Sequence, residues 1–215
     1  MSQNHNRQKS VKLGGLLART LVVALASGLL GLSVQARSGK GSGNDFGLKV
    51  DNFGQVNDNY YRGGQPSEGD FADLKRLGIK TIIDLQEDAK SSEAGWVRSA
   101  GMQYINVPLS SRHPASAQQT AYFLSVVNDP ANLPVFVHCA GGRHRTGAMT
   151  AIYRITHDGW TAERSFEEMK KYDWYSMGGH APLKDYVYSY YQDHRMSLAR
   201  TAVPENTSGK SVTQQ

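Results

Sequence analysis

Cysteine is almost absent from this chain of 215 residues, which contains only Cys139. A single cysteine cannot form a disulfide within one chain, so the sequence excludes a small secreted fold held together by disulfides. Acidic residues are absent from residues 1–36, which carry four basic side chains, whereas the rest of the chain has 20 basic and 19 acidic residues. The net charge of +5 therefore belongs mainly to the N-terminal segment, and we predict no nucleic-acid partner.

The N-terminal segment has the pattern of a secretory signal. Basic residues precede an apolar run over residues 20–34, and the small residues Val34 and Ala36 fit a cleavage point. We therefore predict a signal peptide over residues 1–36, export to a periplasmic or extracellular space, and no stable membrane insertion after cleavage. The run is shorter than the roughly 20 apolar residues that span a bilayer, which counts against the alternative of an uncleaved anchor.

Two further segments are predicted to lie outside the folded domain. Residues 37–47 are rich in glycine and serine, as is typical of a flexible linker. Residues 200–215 are polar and lack an apolar period, which predicts a disordered tail. A single domain over residues 48–199 lies between them.

Strand and helix patterns alternate within this domain. They predict an α/β fold with a mostly parallel central sheet flanked by helices. Ser67, with Asp70 three residues on, is predicted to cap the first helix, which ends at Gly78. The predicted strands are 56–62, 79–85, 102–109 and 134–138, and the predicted helices are 67–77, 92–100, 117–127, 146–157, 162–171 and 182–198.

The segment after the strand that ends at His138 carries the chemistry. Gly141 and Gly142 allow a tight turn in which successive amide groups point inward, and the helix that follows adds the positive end of its dipole. Arg145 offers a planar fork that can hold two oxygens of one phosphoryl group. We therefore predict a phosphate-binding loop made of Ala140, Gly141, Gly142, Arg143, His144 and Arg145.

The same positive field favours the thiolate of Cys139, which would then attack a bound phosphorus atom. Arg145 would stabilise the charge on the phosphoryl oxygens, and Thr146 would donate a hydrogen bond to the sulfur. His138 precedes the nucleophile on a strand, so its side chain points away from that of Cys139. We expect His138 to brace the loop.

The run His138-Cys139, five further residues, Arg145-Thr146-Gly147 resembles the phosphate-binding loop of cysteine-dependent protein tyrosine and dual-specificity phosphatases. Upstream, the runs 52–56, 60–66 and 77–85 resemble compact atypical dual-specificity phosphatases of bacteria, plants and fungi. This resemblance spans about residues 50–195 and implies hydrolysis of phosphate monoesters on a protein or a small molecule. It implies no metal and no other cofactor, because the loop supplies both the nucleophile and the charge.

The loop also resembles one branch of that family. The run Gly142-Arg143-His144 is similar to the Gly-Lys-His of plant and fungal members, some of which act on inositol pyrophosphates. Ala140 and Gly141 depart from that branch, in which the second of these positions is usually basic. An inositol polyphosphate or pyrophosphate phosphatase is therefore an alternative function.

A proton donor is missing from the expected place. Such phosphatases usually carry an aspartate on a loop before the nucleophile strand, and residues 108–115 contain no acid. His113, Glu87 and Asp88 are the candidate general acids. A non-catalytic phosphate-binding protein is the second alternative, and a zinc site of His138, Cys139 and His144 would lack a fourth ligand.

Overall fold

The computed structural model describes residues 47–202. The predicted signal peptide and all of the predicted linker except Gly47 lie outside the described residues. The last helix continues to Ala202, three residues into the predicted tail, and the rest of that tail is also outside the described part. Within residues 47–202, no helix is long and apolar enough to cross a bilayer.

The centre of the fold is a five-stranded sheet with the order β1-β2-β5-β3-β4. The strand β1 is antiparallel to β2, and the other neighbours are parallel, which confirms the predicted α/β class with a mostly parallel sheet. Every residue of β3 and β5 is buried, as expected for parallel strands covered on both faces. The strands are β1 (Gly54–Asn57), β2 (Tyr60–Gly63), β3 (Thr81–Gln86), β4 (Gln103–Leu109) and β5 (Val135–His138).

Helices pack on both faces because alternate side chains of each central strand point to opposite sides. On β3, Ile82 packs with Phe71 and Val97 of the first two helices, whereas Ile83 packs with Phe123 and Met149 of the next two. The last two helices pack against the outer side of the fourth. The helices are α1 (Asp70–Arg76), α2 (Glu93–Ser99), α3 (Ala117–Asn128), α4 (Arg145–Asp158), α5 (Ala162–Lys171) and α6 (Ala181–Ala202).

Two local predictions are wrong. The predicted strand 56–62 is a hairpin of β1 and β2, because the side chain of Asn57 accepts the amide hydrogen of Asn59 and closes a turn there. Ser67 does not cap α1, which begins at Asp70. Instead, both the amide and the hydroxyl of Ser67 donate to the carboxylate of Asp70, at 2.8 and 2.6 Å, which fixes the turn before the helix.

Candidate active site

The candidate site lies where the carboxyl ends of three parallel strands meet. Gly63 at the end of β2 pairs with His138 at the end of β5, and His138 also pairs with Asp84 on β3. Cys139 follows β5 directly, and α4 begins at Arg145. This edge of an open α/β sheet is where ligands usually bind, close to the positive end of a helix.

The backbone of the loop depends on Gly142. This residue has a φ of +66°, and a Cβ atom placed on it would lie 2.5–2.7 Å from backbone atoms of Gly63 and Gly64. The loop therefore packs directly against the backbone that follows β2, with no space for a side chain. The prediction that a glycine is needed for a tight turn agrees with this geometry at Gly142.

Hydrogen-bond donors from the N-terminal part of the domain bind three successive carbonyl groups of the loop. The amide of Gln65 donates to the carbonyl of Ala140 at 3.1 Å, and the side-chain amide of Asn52 donates to that of Gly141 at 2.9 Å. Arg62 donates to the carbonyl of Gly142 at 2.6 Å. Since the N–H and C=O of a trans peptide point in opposite directions, the amide groups of these three peptides face the other side of the loop. That side is a cradle for an anion.

Cys139 and Arg145 stand at the two ends of this cradle. Cys139 is a free, buried thiol. The Nη1 atom of Arg145 donates to the carbonyl of Leu109 at 3.3 Å and lies 3.4 Å from a carboxylate oxygen of Asp88. Arg145 is itself buried, whereas Asp88 is exposed, so the arginine is anchored and the carboxylate lies on its solvent side. The hydroxyl of Thr146 donates to the carbonyl of Gly63 at 3.4 Å, a different partner from the predicted sulfur.

His144 joins the loop to the segment before α6. Its ring stacks on that of His180 at 3.6 Å, Tyr175 packs edge-on against it at 4.4 Å, and its Nε2 donates to the Tyr175 carbonyl at 3.1 Å. Burial lowers the pKa of His144 to about 4, and the neighbouring His180 acts in the same direction. His144 is therefore a neutral, packed ring at neutral pH.

His138 lies beneath the loop in a buried polar group. Its Nε2 is 2.9 Å from Oε1 of Glu93, within ion-pair distance although without the alignment of a hydrogen bond. Its Nδ1 is 4.0 Å from Asp84, whose carboxylate accepts from Tyr104 and from the backbone of Gln86. His138, Glu93 and Asp84 are the candidate metal ligands that cluster within the described residues. Their remaining oxygens are engaged by neighbouring side chains and backbone, so we interpret them as a bracing network.

The chain is similar to known phosphatases in both sequence and fold. A family model described as a DSP-PTPase phosphatase fused to NAD+ kinase matches residues 49–183. The chain belongs to this phosphatase family. The probable tyrosine-protein phosphatase DG1060 of Dictyostelium discoideum is 32% identical over 126 residues, which cover 56% of this chain and 75% of that protein. The resemblance and the hydrolase class predicted from the sequence are confirmed.

Two solved structures share the fold of this phosphatase. The catalytic core of the PP-IP phosphatase SIW14 of S. cerevisiae has a TM-score of 0.59 at 24% identity, covering 72% of this chain and 96% of that one. TpbA of P. aeruginosa, crystallised with pTyr, has a TM-score of 0.58 at 23% identity, covering 68% of this chain and 90% of that one. These neighbours confirm the fold predicted from the resemblance.

The three candidate proton donors of the phosphatase occupy different positions. Asp88 lies against Arg145, as described above, and its neighbour Glu87 is exposed. His113 is exposed as well, with its Nδ1 3.1 Å from the hydroxyl of Ser110, and it lines a small cavity that also contacts Arg145. Asp88 is therefore the candidate whose acidic group reaches the loop arginine.

Sequence reasoning missed the residues that hold the phosphatase loop in place. Asn52, Arg62 and Gln65 bind its carbonyls, and Glu93 contacts His138. The signal was present for the first three, because they lie in the upstream runs that carry the family resemblance. Glu93 gave no comparable signal, since an acid in the first turn of a helix is normally a solvated residue.

Proposed function

We propose that this phosphatase hydrolyses phosphate monoesters of a protein or a small molecule through a cysteinyl-phosphate intermediate on Cys139. The observation that carries the proposal is the loop, in which three carbonyls are held on one side and leave their amide groups facing the other. Fixed donors of this kind bind a dianion and stabilise the charge that develops on its oxygens. The buried fork of Arg145 adds two donors at the end of the same cradle.

The reaction follows from the positions of these groups. The Cys139 thiolate forms a bond to phosphorus while the phosphorus–oxygen bond to the leaving group breaks, and the leaving oxygen takes a proton from an acid. Water then attacks phosphorus, the sulfur–phosphorus bond breaks, and the conjugate base of that acid accepts a proton from the water. Inorganic phosphate and the thiolate are the products. Arg145 and the loop amides hold the three equatorial oxygens in both steps.

Asp88 is the proton donor that we propose. Its carboxylate lies 3.4 Å from Nη1 of Arg145, and a bound dianion would compete with it for the same guanidinium. We therefore assign to Asp88, on the solvent side of Arg145, the donation of a proton to a leaving group that projects from the cradle.

The test of the proposal is the hydrolysis of an aryl phosphate by the wild-type chain and by Cys139→Ser. We expect the substitution to lower kcat by about a thousandfold or more, because serine is not ionised at neutral pH. Mass spectrometry of the wild type quenched during turnover should detect phosphate on Cys139. Equal inertness of both proteins, with inorganic phosphate bound by both, would instead support the non-catalytic alternative.

The choice of substrate is tested with the wild-type chain. Phosphotyrosine peptides, phosphoserine peptides and inositol pyrophosphates are compared by kcat/KM under one condition. We expect the highest values for aryl phosphates and phosphoanhydrides, whose leaving groups depend least on a proton donor. Comparable values for phosphoserine and phosphotyrosine peptides would contradict this order.

A further inference from the structure

A second arginine lies directly behind the phosphate-binding loop. Arg62 is the third residue of β2 and is fully buried. Its Nη2 donates to the carbonyl of Gly142 at 2.6 Å, and its guanidinium carbon lies 3.8 Å from the centre of the Tyr172 ring. The charge is therefore held in place by one hydrogen bond and one aromatic face, immediately next to the loop that would bind an anion.

This charge is not neutralised by an ion pair. Its Nε and Nη1 atoms have no hydrogen-bond partner, and among the described residues no carboxylate forms an ion pair with it. Burial lowers the pKa of Arg62, while the electrostatic influence of Tyr172, then of Glu168, and more weakly of Tyr60 and Cys139, opposes the change. A buried cation without a counter-ion costs several kcal/mol, so its persistence calls for a reason.

Arg154 provides the contrast within the same domain. It is also buried, yet its guanidinium contacts Glu168 at 2.8 Å and Asp158 at 2.6 Å. The charge of Arg154 is therefore compensated by these two carboxylates. Arg62, in contrast, forms no ion pair among the described residues, although Glu168 acts on it from a distance, and its guanidinium is bonded to the loop that follows Cys139.

We propose that Arg62 is a positioning residue whose unpaired charge stabilises the thiolate of Cys139 and the anion bound in the loop. It acts through two effects, which are the hold on the Gly142 carbonyl and the positive potential behind the cradle. The part that concerns a bound phosphoryl group rests on the function proposed above. The part that concerns the thiolate does not, because it can be measured without a substrate.

The test is a pH titration of the ultraviolet absorbance of the thiolate, with the matching Cys139→Ser protein subtracted as background. Because Cys139 is the only cysteine, the difference reports this thiol alone. We expect Arg62→Met to move the midpoint of the titration upward by about one pH unit or more, which is a tenfold loss of thiolate below the midpoint. Arg62→Lys, which keeps the charge, should stay close to the wild type.

The controls separate charge from damage to the fold. Arg76→Met removes an exposed arginine from α1 and should leave the midpoint unchanged. If Arg62→Met does not fold, Arg62→Gln removes the charge but keeps a donor for Gly142, and the same upward shift is expected. If the thiol in Arg62→Met or Arg62→Gln titrates with the same midpoint as in the wild type, the proposal is overturned. An equal shift in Arg62→Lys would do so too, because it would assign the effect to loop geometry.

The outcome is distinguishable from failure of the proposed function. If the chain hydrolyses no phosphate ester but the charge-removing variants shift the thiol titration, Arg62 still acts on Cys139 and the catalytic proposal alone is wrong. If turnover depends on Cys139 but the thiol titration ignores Arg62, the phosphatase mechanism stands without this residue.

Discussion

Gly142 offers a quantitative test of how closely the loop is packed. Its φ of +66° is strained for any residue with a side chain, at a cost of about 1 kcal/mol for alanine. A Cβ atom would also lie 2.5 Å from the carbonyl carbon of Gly63, whereas ordinary contacts begin at 3.4 Å. Since the neighbouring atoms are backbone, the loop itself would have to move by about 0.9 Å.

The segment that would move lies between Cys139 and Arg145, the two groups that do the chemistry. Misplacement of reacting groups by about 1 Å costs about a hundredfold in rate. We therefore expect Gly142→Ala to lower kcat/KM for an aryl phosphate by about a hundredfold. Urea unfolding should show a loss of stability larger than the roughly 1 kcal/mol that backbone strain alone predicts.

The matched control is Gly159, which ends α4 with a φ of +64° and has no atom within 4 Å of the Cβ position. Gly159→Ala carries the same backbone strain without the collision, so it should lose about 1 kcal/mol of stability and keep its activity. Activity of Gly142→Ala within about threefold of the wild type would refute the reasoning, because the loop would then tolerate the displacement. An equal loss in both variants would refute it as well.

Three further predictions follow from the site. Arg145→Lys keeps the charge but loses the fork, so we expect kcat for an aryl phosphate to fall by about a hundredfold or more; near-normal turnover would contradict bidentate binding. Asp88→Asn should slow phenyl phosphate far more than 4-nitrophenyl phosphate, with Glu87→Gln as the exposed neighbour that leaves both rates unchanged. His144 has a folded pKa of about 4, below its unfolded value of about 6.5, so the folded state binds fewer protons and loses stability as the pH falls through this interval. Urea unfolding at pH 7 and pH 5 should show the loss in the wild type and a smaller one in His144→Asn.

The sheet and the phosphate loop could be predicted because their signals are local. A buried parallel strand is a short apolar run, and the run 135–138 is followed directly by the nucleophile and the glycines. The hairpin at residues 54–63 was missed because its turn depends on one side-chain contact, from the amide of Asn59 to Asn57, inside an otherwise strand-like sequence. The false cap at Ser67 has a similar cause, since the same serine–aspartate spacing also forms a turn.

The contacts of the groups that support the loop could not be predicted because they join distant parts of the chain. Asn52 and Arg62 reach carbonyls 89 and 80 positions away, and Asp88 reaches an arginine 57 positions away. A sequence pattern reports residue type and spacing, whereas these contacts depend on which strand ends lie side by side in the sheet. The order β2-β5-β3 brings residues from three separate segments to one edge, and that order follows from the packing of the whole domain.

The environment of Arg62 is an example of a feature that depends on contacts between distant segments. In the sequence it is one of 24 basic residues and sits in a run of strand-forming residues, where a single charge normally marks a solvated position. In the fold it is fully buried with two unsatisfied donors behind the phosphate loop, while Arg154, of the same residue type and similar burial, has carboxylate partners. Two arginines of similar burial thus differ in whether they form an ion pair. Arg154 is bound by two carboxylates and Arg62 by a loop carbonyl, and a thiol titration that responds to Arg62 would show that its charge acts on Cys139.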